Sequence, residues 1–244
     1  MIVLSLFFMG CSKEQPDTET DRYITDNNVD VVCEILNAAG LSNVDIFREW
    51  VVNPPAENGG DESNSVSDAD CRMTVMLLAG DSIKYDSLEE EYNGDYLMLD
   101  LDAIENDNRF AVLKDKVDLF TTMFGEEPIP DGSEDGLAGR WKRHGIKVES
   151  DKFSIITIHF KAYDHEETFV GHTGILVDCR DQDNAESDYY FVEKIAFWDP
   201  FCFTPVKDEK ELIDILSARP DYTVEEGEQK PLVYKNGELI GPLK

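Results

Sequence analysis

The sequence is poor in positive charge. Across 244 residues, 22 lysines and arginines face 52 aspartates and glutamates, for a formal net charge of −30. Phosphate backbones and anionic headgroups are repelled by such a surface, so nucleic acid is excluded as a partner. The acids run along the whole length instead of gathering in one tail, which is the pattern of a solvated exterior and names no substrate. Histidine is scarce too: there are four, His144, His159, His165 and His172, none paired at a metal-ligand spacing. The five cysteines form no C-x-x-C, so no metal and no other cofactor is expected. The acidic cluster DQDNAESD (181–188) lacks the ligand spacing of an EF-hand and reads as a solvated loop. No apolar run is long enough to span a bilayer, and no repeat or low-complexity tract interrupts the chain.

What is present begins with MIVLSLFFMG, a short apolar stretch that ends at Cys11. A small residue and a cysteine after such a stretch resemble a bacterial lipoprotein signal, in which cleavage precedes the cysteine and its thiol carries a diacylglycerol. Phe8 stands where that motif prefers leucine, and no basic residue precedes the stretch. The competing reading is an unstructured N-terminus with a chance cysteine. The resemblance implies a signal segment at 1–10, a lipid-anchored flexible tether at 11–22 with the polarity of SKEQPDTETD, and one folded domain at 23–244. It further implies an extracytoplasmic location on a bacterial membrane, where Cys33, Cys71, Cys179 and Cys202 are free to form bridges.

Within the domain, NVDVVCEILNAAG predicts a helix with Val29, Val32, Cys33 and Leu36 on one face, and Cys33 there is a core residue. A second helix is expected from Asn43 to the Pro54-Pro55 pair, followed by an acidic loop. After Cys71, MTVMLLAG is apolar on nearly every side, which predicts a helix enclosed by protein and capped by Asp68 or Asp70. Another helix is expected over about 108–124. Beyond the glycines and prolines of GEEPIPDGSEDGLAG the period changes to two, and the runs 153–163, 168–179 and 189–198 predict consecutive antiparallel strands. A late helix at DEKELIDILSA and a hairpin turning on Asn236-Gly237 complete an α+β domain, with N-terminal helices packed on a C-terminal antiparallel sheet.

Cys71 is the residue with chemical promise. A thiol in the first turn of a buried helix lies beside unpaired N–H groups and the positive end of the dipole, both of which favour thiolate. Its own amide is placed to stabilise an oxyanion. Arg72 adds a helpful cation, and Asp70 an opposing anion unless it caps the helix. The bland alternative is a structural thiol or a disulfide partner. Of the histidines, only His172 opens a strand of small and aliphatic residues, HTGILVD; His159 lies inside a strand, His144 in the basic cluster RWKRH and His165 in a polar turn.

The order DCR at a helix head, then GHTGILVD, then YYFVEKIAF resembles papain-like cysteine hydrolases of the NlpC type. That resemblance implies a papain-like fold with Cys71 as nucleophile, His172 as general base and acid, and Glu193 as the group that orients the histidine, Asp199 being the rival for the third role. Arg72 and Met73 depart from the family's usual Ser and Gly after the cysteine. More of the chain, including YITDNNVDVVCEILNAAGLSNVDIFREWV, is similar to an uncharacterised bacterial lipoprotein family known as a domain of unknown function. The expected activity is that of a surface-anchored cysteine hydrolase or acyl transferase on an amide of a peptide or cell-wall peptide; the alternative is a non-enzymatic lipoprotein that binds a ligand or partner on the same scaffold. Cys71 and His172 are expected within hydrogen-bond reach, with Glu193 at the far ring nitrogen.

Overall fold

The computed structural model describes residues 22–53, 69–89, 91–128, 136–162, 166–196, 199–224 and 229–244. The signal segment, Cys11, most of the tether, the acidic loop before Ala69 and His165 lie outside them. Two short helices come first: α1 (Val29–Ala38) buries Val29, Val32, Cys33, Ile35 and Leu36, and α2 (Val44–Val52) buries Val44, Phe47 and Trp50. Gly40, at a left-handed φ of +78°, allows the chain to turn between them.

Helix α3 (Cys71–Ala79) is buried at every one of its nine positions, as an all-apolar run requires. Asp70 caps it, its carboxylate accepting the Met73 N–H at 2.8 Å. The helical half then continues through β1 (Ile83–Lys84), α4 (Met98–Asn106), α5 (Val117–Phe124), β2 (Glu127–Pro128), α6 (Gly136–Arg143) and β3 (Lys147–Val148). The helix expected over 108–124 is a tight 3-10 segment, Asn108–Lys116, that relaxes into α5 at Val117.

The strands are β4 (Phe153–Ala162), β5 (Glu167–Asp178), β6 (Tyr189–Lys194), β7 (Phe201–Val206), β8 (Leu232–Lys235) and β9 (Glu238–Pro242). They form an antiparallel sheet in the order β7-β6-β5-β4-β8-β9, with β2 added to β5. Asn236 and Gly237, both at positive φ, make the β8–β9 turn. The final helix, α7 (Glu209–Ser217), falls where the period predicts it, with Asp208 as its cap.

The sheet is covered on both faces. One face packs Ile155, Val170, Ile175, Val177 and Val192 into the large core that includes α3. The other packs Ile156, Ile158, Leu176 and Phe191 against Leu212 and Leu216 of α7. The plan of helices on an antiparallel sheet is therefore present, but α7 adds a second cover that the expected architecture lacks. This second cover matters for the site, because side chains on alternate positions of β5 and β6 face different helices.

Candidate functional site

His172 and Glu193 meet. His172 Nε2 lies 2.6 Å from Glu193 Oε2, and both residues are only 1% exposed. Strand period explains the meeting: His172 pairs with Ile158, and Glu193 stands two residues after Phe191, so both side chains share the α7 face with those two residues. A local kink aims the histidine. Ile158 pairs with His172 but His159 pairs with Val170, which leaves Gly171 as the extra residue of a β-bulge. Only glycine fits there, because a Cβ on Gly171 would come within 2.4 Å of the Phe160 ring.

Glu193 is also held by Arg219, just past α7. The guanidinium reaches Oε1 at 2.5 Å through one terminal nitrogen and Oε2 at 2.9 Å through the other. Burial pushes the Glu193 carboxyl up, yet the His172 hydrogen bond and the charge and hydrogen bonds of Arg219 outweigh it and bring the acid down to about 2. The same guanidinium donates to the Tyr222 hydroxyl at 3.2 Å, and the Tyr222 ring lies 6.0 Å from that of His172 and edge-on to Phe160. Asp199, the rival for the orienting role, lies past the end of β6, where its backbone carbonyl accepts from the Lys194 ammonium.

Cys71 comes to the same stretch of β5 from the other side. It sits at the head of α3, a helix that packs on the face opposite α7, and it lies next to the backbone of Thr173. The pairing of β5 with β6 stops at Ile175↔Val192, so in the described structure Thr173 lies beyond the ladder between those strands, where a helix end has room to approach. The expected hydrogen bond between Cys71 and His172 is not formed among the described residues; His172 bonds Glu193 alone. The imidazole turns to Glu193 on the α7 face, whereas the thiol lies beside the Thr173 amide at the open edge of β5. Burial pushes the Tyr222 hydroxyl up, and the Cys71 thiol adds to that rise.

The Cys71 thiol itself departs from expectation. Burial pushes it up to about 12, and Asp70 adds to the rise, against the opposing pull of Arg72 and of the Thr173 amide. Desolvation outweighs the helix end because the residue is 6% exposed. Nor is Arg72 free to assist. It lies between Asp70 Oδ2 at 2.7 Å and Asp100 Oδ2 at 3.0 Å, and it donates to the Val170 carbonyl at 3.4 Å. Tyr96 donates to that carbonyl at 2.9 Å, so the segment just before α4 is tied to β5 two residues before His172. Burial and the neighbouring Asp70 push Asp100 up to about 8.

The other residues considered take structural places. Cys33, Cys71, Cys179 and Cys202 are all buried free thiols, so the bridges that an oxidising compartment permits are not made among them. His159 is enclosed in β4, stacked on Tyr234 at 4.2 Å and bonded to the Thr157 hydroxyl at 2.9 Å, and burial drives it down to about 3. His144 contacts Ser87 and Glu89. Among the described residues no group of His, Cys, Asp and Glu is arranged to hold a metal ion. Arg219, Tyr222, Asp100 and Tyr96 escaped the sequence reading. The signal for Arg219 was slight: a lone arginine before proline, in ARPDYT, at the end of an amphipathic helix.

No curated protein and no solved structure matches the chain. One family model does, over residues 56–240, a span that holds Cys71, His172, Glu193 and Arg219: the chain belongs to the family described as a domain of unknown function, DUF4300.

Proposed function

We propose that this protein is a cysteine hydrolase or acyl transferase with a papain-like, NlpC-type site, acting on an amide of a peptide or cell-wall peptide. The observation that carries the reading is the buried His172–Glu193 contact at 2.6 Å, beside the capped helix head that bears Cys71. A charged carboxylate on one ring nitrogen makes the other a better base. In the reaction, the Cys71 sulfur attacks the substrate carbonyl as His172 takes the thiol proton. The same proton passes to the leaving amine, which departs as a thioester forms. Water then attacks the thioester, giving one proton to His172, which returns it to sulfur. The amide of Cys71 is the donor for the oxyanion. Because burial raises the thiol, a base is needed at the moment of attack.

The apolar run ending at Cys11 supports a lipid anchor and an extracytoplasmic site of action on a bacterial membrane. Among the described residues no helix is long and apolar enough to cross a membrane. Mass spectrometry of protein made in a bacterial host with lipoprotein processing tests this: an N-terminal diacylated Cys11 is expected, and an intact unmodified Met1 contradicts it.

A second reading has its own observation. Cys71 is buried, protonated and without a hydrogen bond to His172, as a structural thiol would be on a scaffold that binds a ligand or partner. Incubation with peptidoglycan peptides and activated acyl esters separates the two. The hydrolase reading expects an acyl group on Cys71, seen as a mass increase on its tryptic peptide and absent in Cys71→Ala. A folded protein that never acylates Cys71 favours the binding scaffold.

A further inference from the structure

We infer that Arg219 is a positioning residue that sets the tautomer of His172: its fork on both oxygens of Glu193 keeps that carboxylate an acceptor, so the ring proton stays on Nε2 and Nδ1 is left as the base. The inference rests on the hydrolase reading for the use of that base, but its test does not.

The geometry leaves little choice. Glu193 Oε2 receives both His172 Nε2 at 2.6 Å and an Arg219 nitrogen at 2.9 Å, while Oε1 receives the other Arg219 nitrogen at 2.5 Å. Guanidinium can only donate, so every contact it makes demands a lone pair from the carboxylate. A carboxylate with no proton of its own can only accept from the ring, which places hydrogen on Nε2. Among the described residues Nδ1 has no hydrogen-bond partner to dictate otherwise. The pair is 1% exposed on each side, so water does not compete for the assignment.

Without Arg219 the balance reverses. A fully buried carboxylate with only a neutral imidazole for company takes a proton from solvent, because an uncompensated charge is costly there. The new O–H then donates to Nε2, and the single ring proton moves to Nδ1, which can no longer accept from a thiol. One proton remains on the ring in both states; the extra one sits on Glu193. His172 is therefore oriented in the same way in both states, and only its chemistry changes.

Two-bond proton–nitrogen correlation NMR on labelled protein at pH 7 reads the tautomer. The wild type is expected to show His172 Nε2 at the protonated shift and Nδ1 at the unprotonated one; the reverse pattern, or two protonated nitrogens, overturns the inference outright. Arg219→Gln is expected to exchange the two shifts and Arg219→Lys to restore the wild-type pattern; an unchanged pattern in folded Arg219→Gln overturns it. If that variant does not fold, Glu193→Gln carries the test. Arg219 should claim the amide oxygen and leave the NH2 facing the ring, so the shifts exchange, and their retention again overturns the inference. A wild-type protein that shows the expected tautomer but takes up no acyl group on Cys71 would instead count against the hydrolase reading alone.

Discussion

The two sides of β5 carry two buried ionic clusters of opposite character. On the α7 side one carboxylate, Glu193, meets one guanidinium, Arg219, and an imidazole, and the acid falls to about 2. On the α3 side two carboxylates, Asp70 and Asp100, share one guanidinium, Arg72, and Asp100 rises to about 8. Both clusters are similarly buried, so the difference lies in charge matching: a second acid with half a partner takes up a proton. The matched cluster fixes one imidazole in place. The overcharged cluster opposes a thiolate at the adjacent Cys71, and a proton on Asp100 relieves it.

Breaking the matched cluster should have the largest effect. Glu193→Ala strands the Arg219 charge and the His172 donor in the interior and is expected to cost about 3–5 kcal/mol in urea unfolding. The strand bend that aims His172 comes next. Gly171→Ala would place a methyl 2.4 Å from the Phe160 ring and is expected to cost about 1–3 kcal/mol by the same measurement.

Acidity sharpens the contrast, because the two acids shift in opposite directions. Asp100 rises from its ordinary 3.8 to about 8, so the folded state keeps a proton that the unfolded chain has released, and its contribution makes stability fall as pH climbs through that window. Glu193 drops from 4.5 to about 2, so its contribution is present above pH 4.5 and is lost as pH falls toward 2. Asp100→Asn should therefore raise stability by about 1–3 kcal/mol at pH 8 relative to wild type, and leave little difference at pH 4. An equal effect at both pH values would mean that Asp100 does not titrate in the folded protein. At the small end, the exposed Arg48–Asp30 pair, with side chains 40% and 73% accessible, should contribute under about 0.5 kcal/mol in a double-mutant cycle.

The sequence revealed whichever features depend on local period. Helix α3 with an aspartate cap, which the structure assigns to Asp70 over Asp68, the β4–β5–β6 run, α7 and the Asn236-Gly237 turn each follow from spacing or from a single turn residue. The NlpC-type resemblance paired Glu193 with His172, and the two meet because the loop 179–188 returns β6 alongside β5. Three things were hidden. The β7 strand, FCFTPV, carries a proline and lies at the sheet edge, with an isolated bridge to Tyr23 on its outer side, so it lacks the usual signature. Asp100 and Arg219 look like ordinary surface charges in a chain so acidic, and only the tertiary fold buries them. The relation of Cys71 to His172 depends on which face of β5 receives α3, and motif order carries no information about that.

The central claim is that Cys71 and His172 act as one chemical unit although no hydrogen bond joins them in the described structure. The most direct measurement is the rate of iodoacetamide modification of Cys71 in the folded protein at pH 7, read from its tryptic peptide, in wild type and in His172→Ala of verified fold. The account predicts a wild-type rate well above that of global unfolding, reduced at least about tenfold by His172→Ala. A Cys71 that reacts only as fast as the protein unfolds, or at the same rate with and without the imidazole, would contradict it.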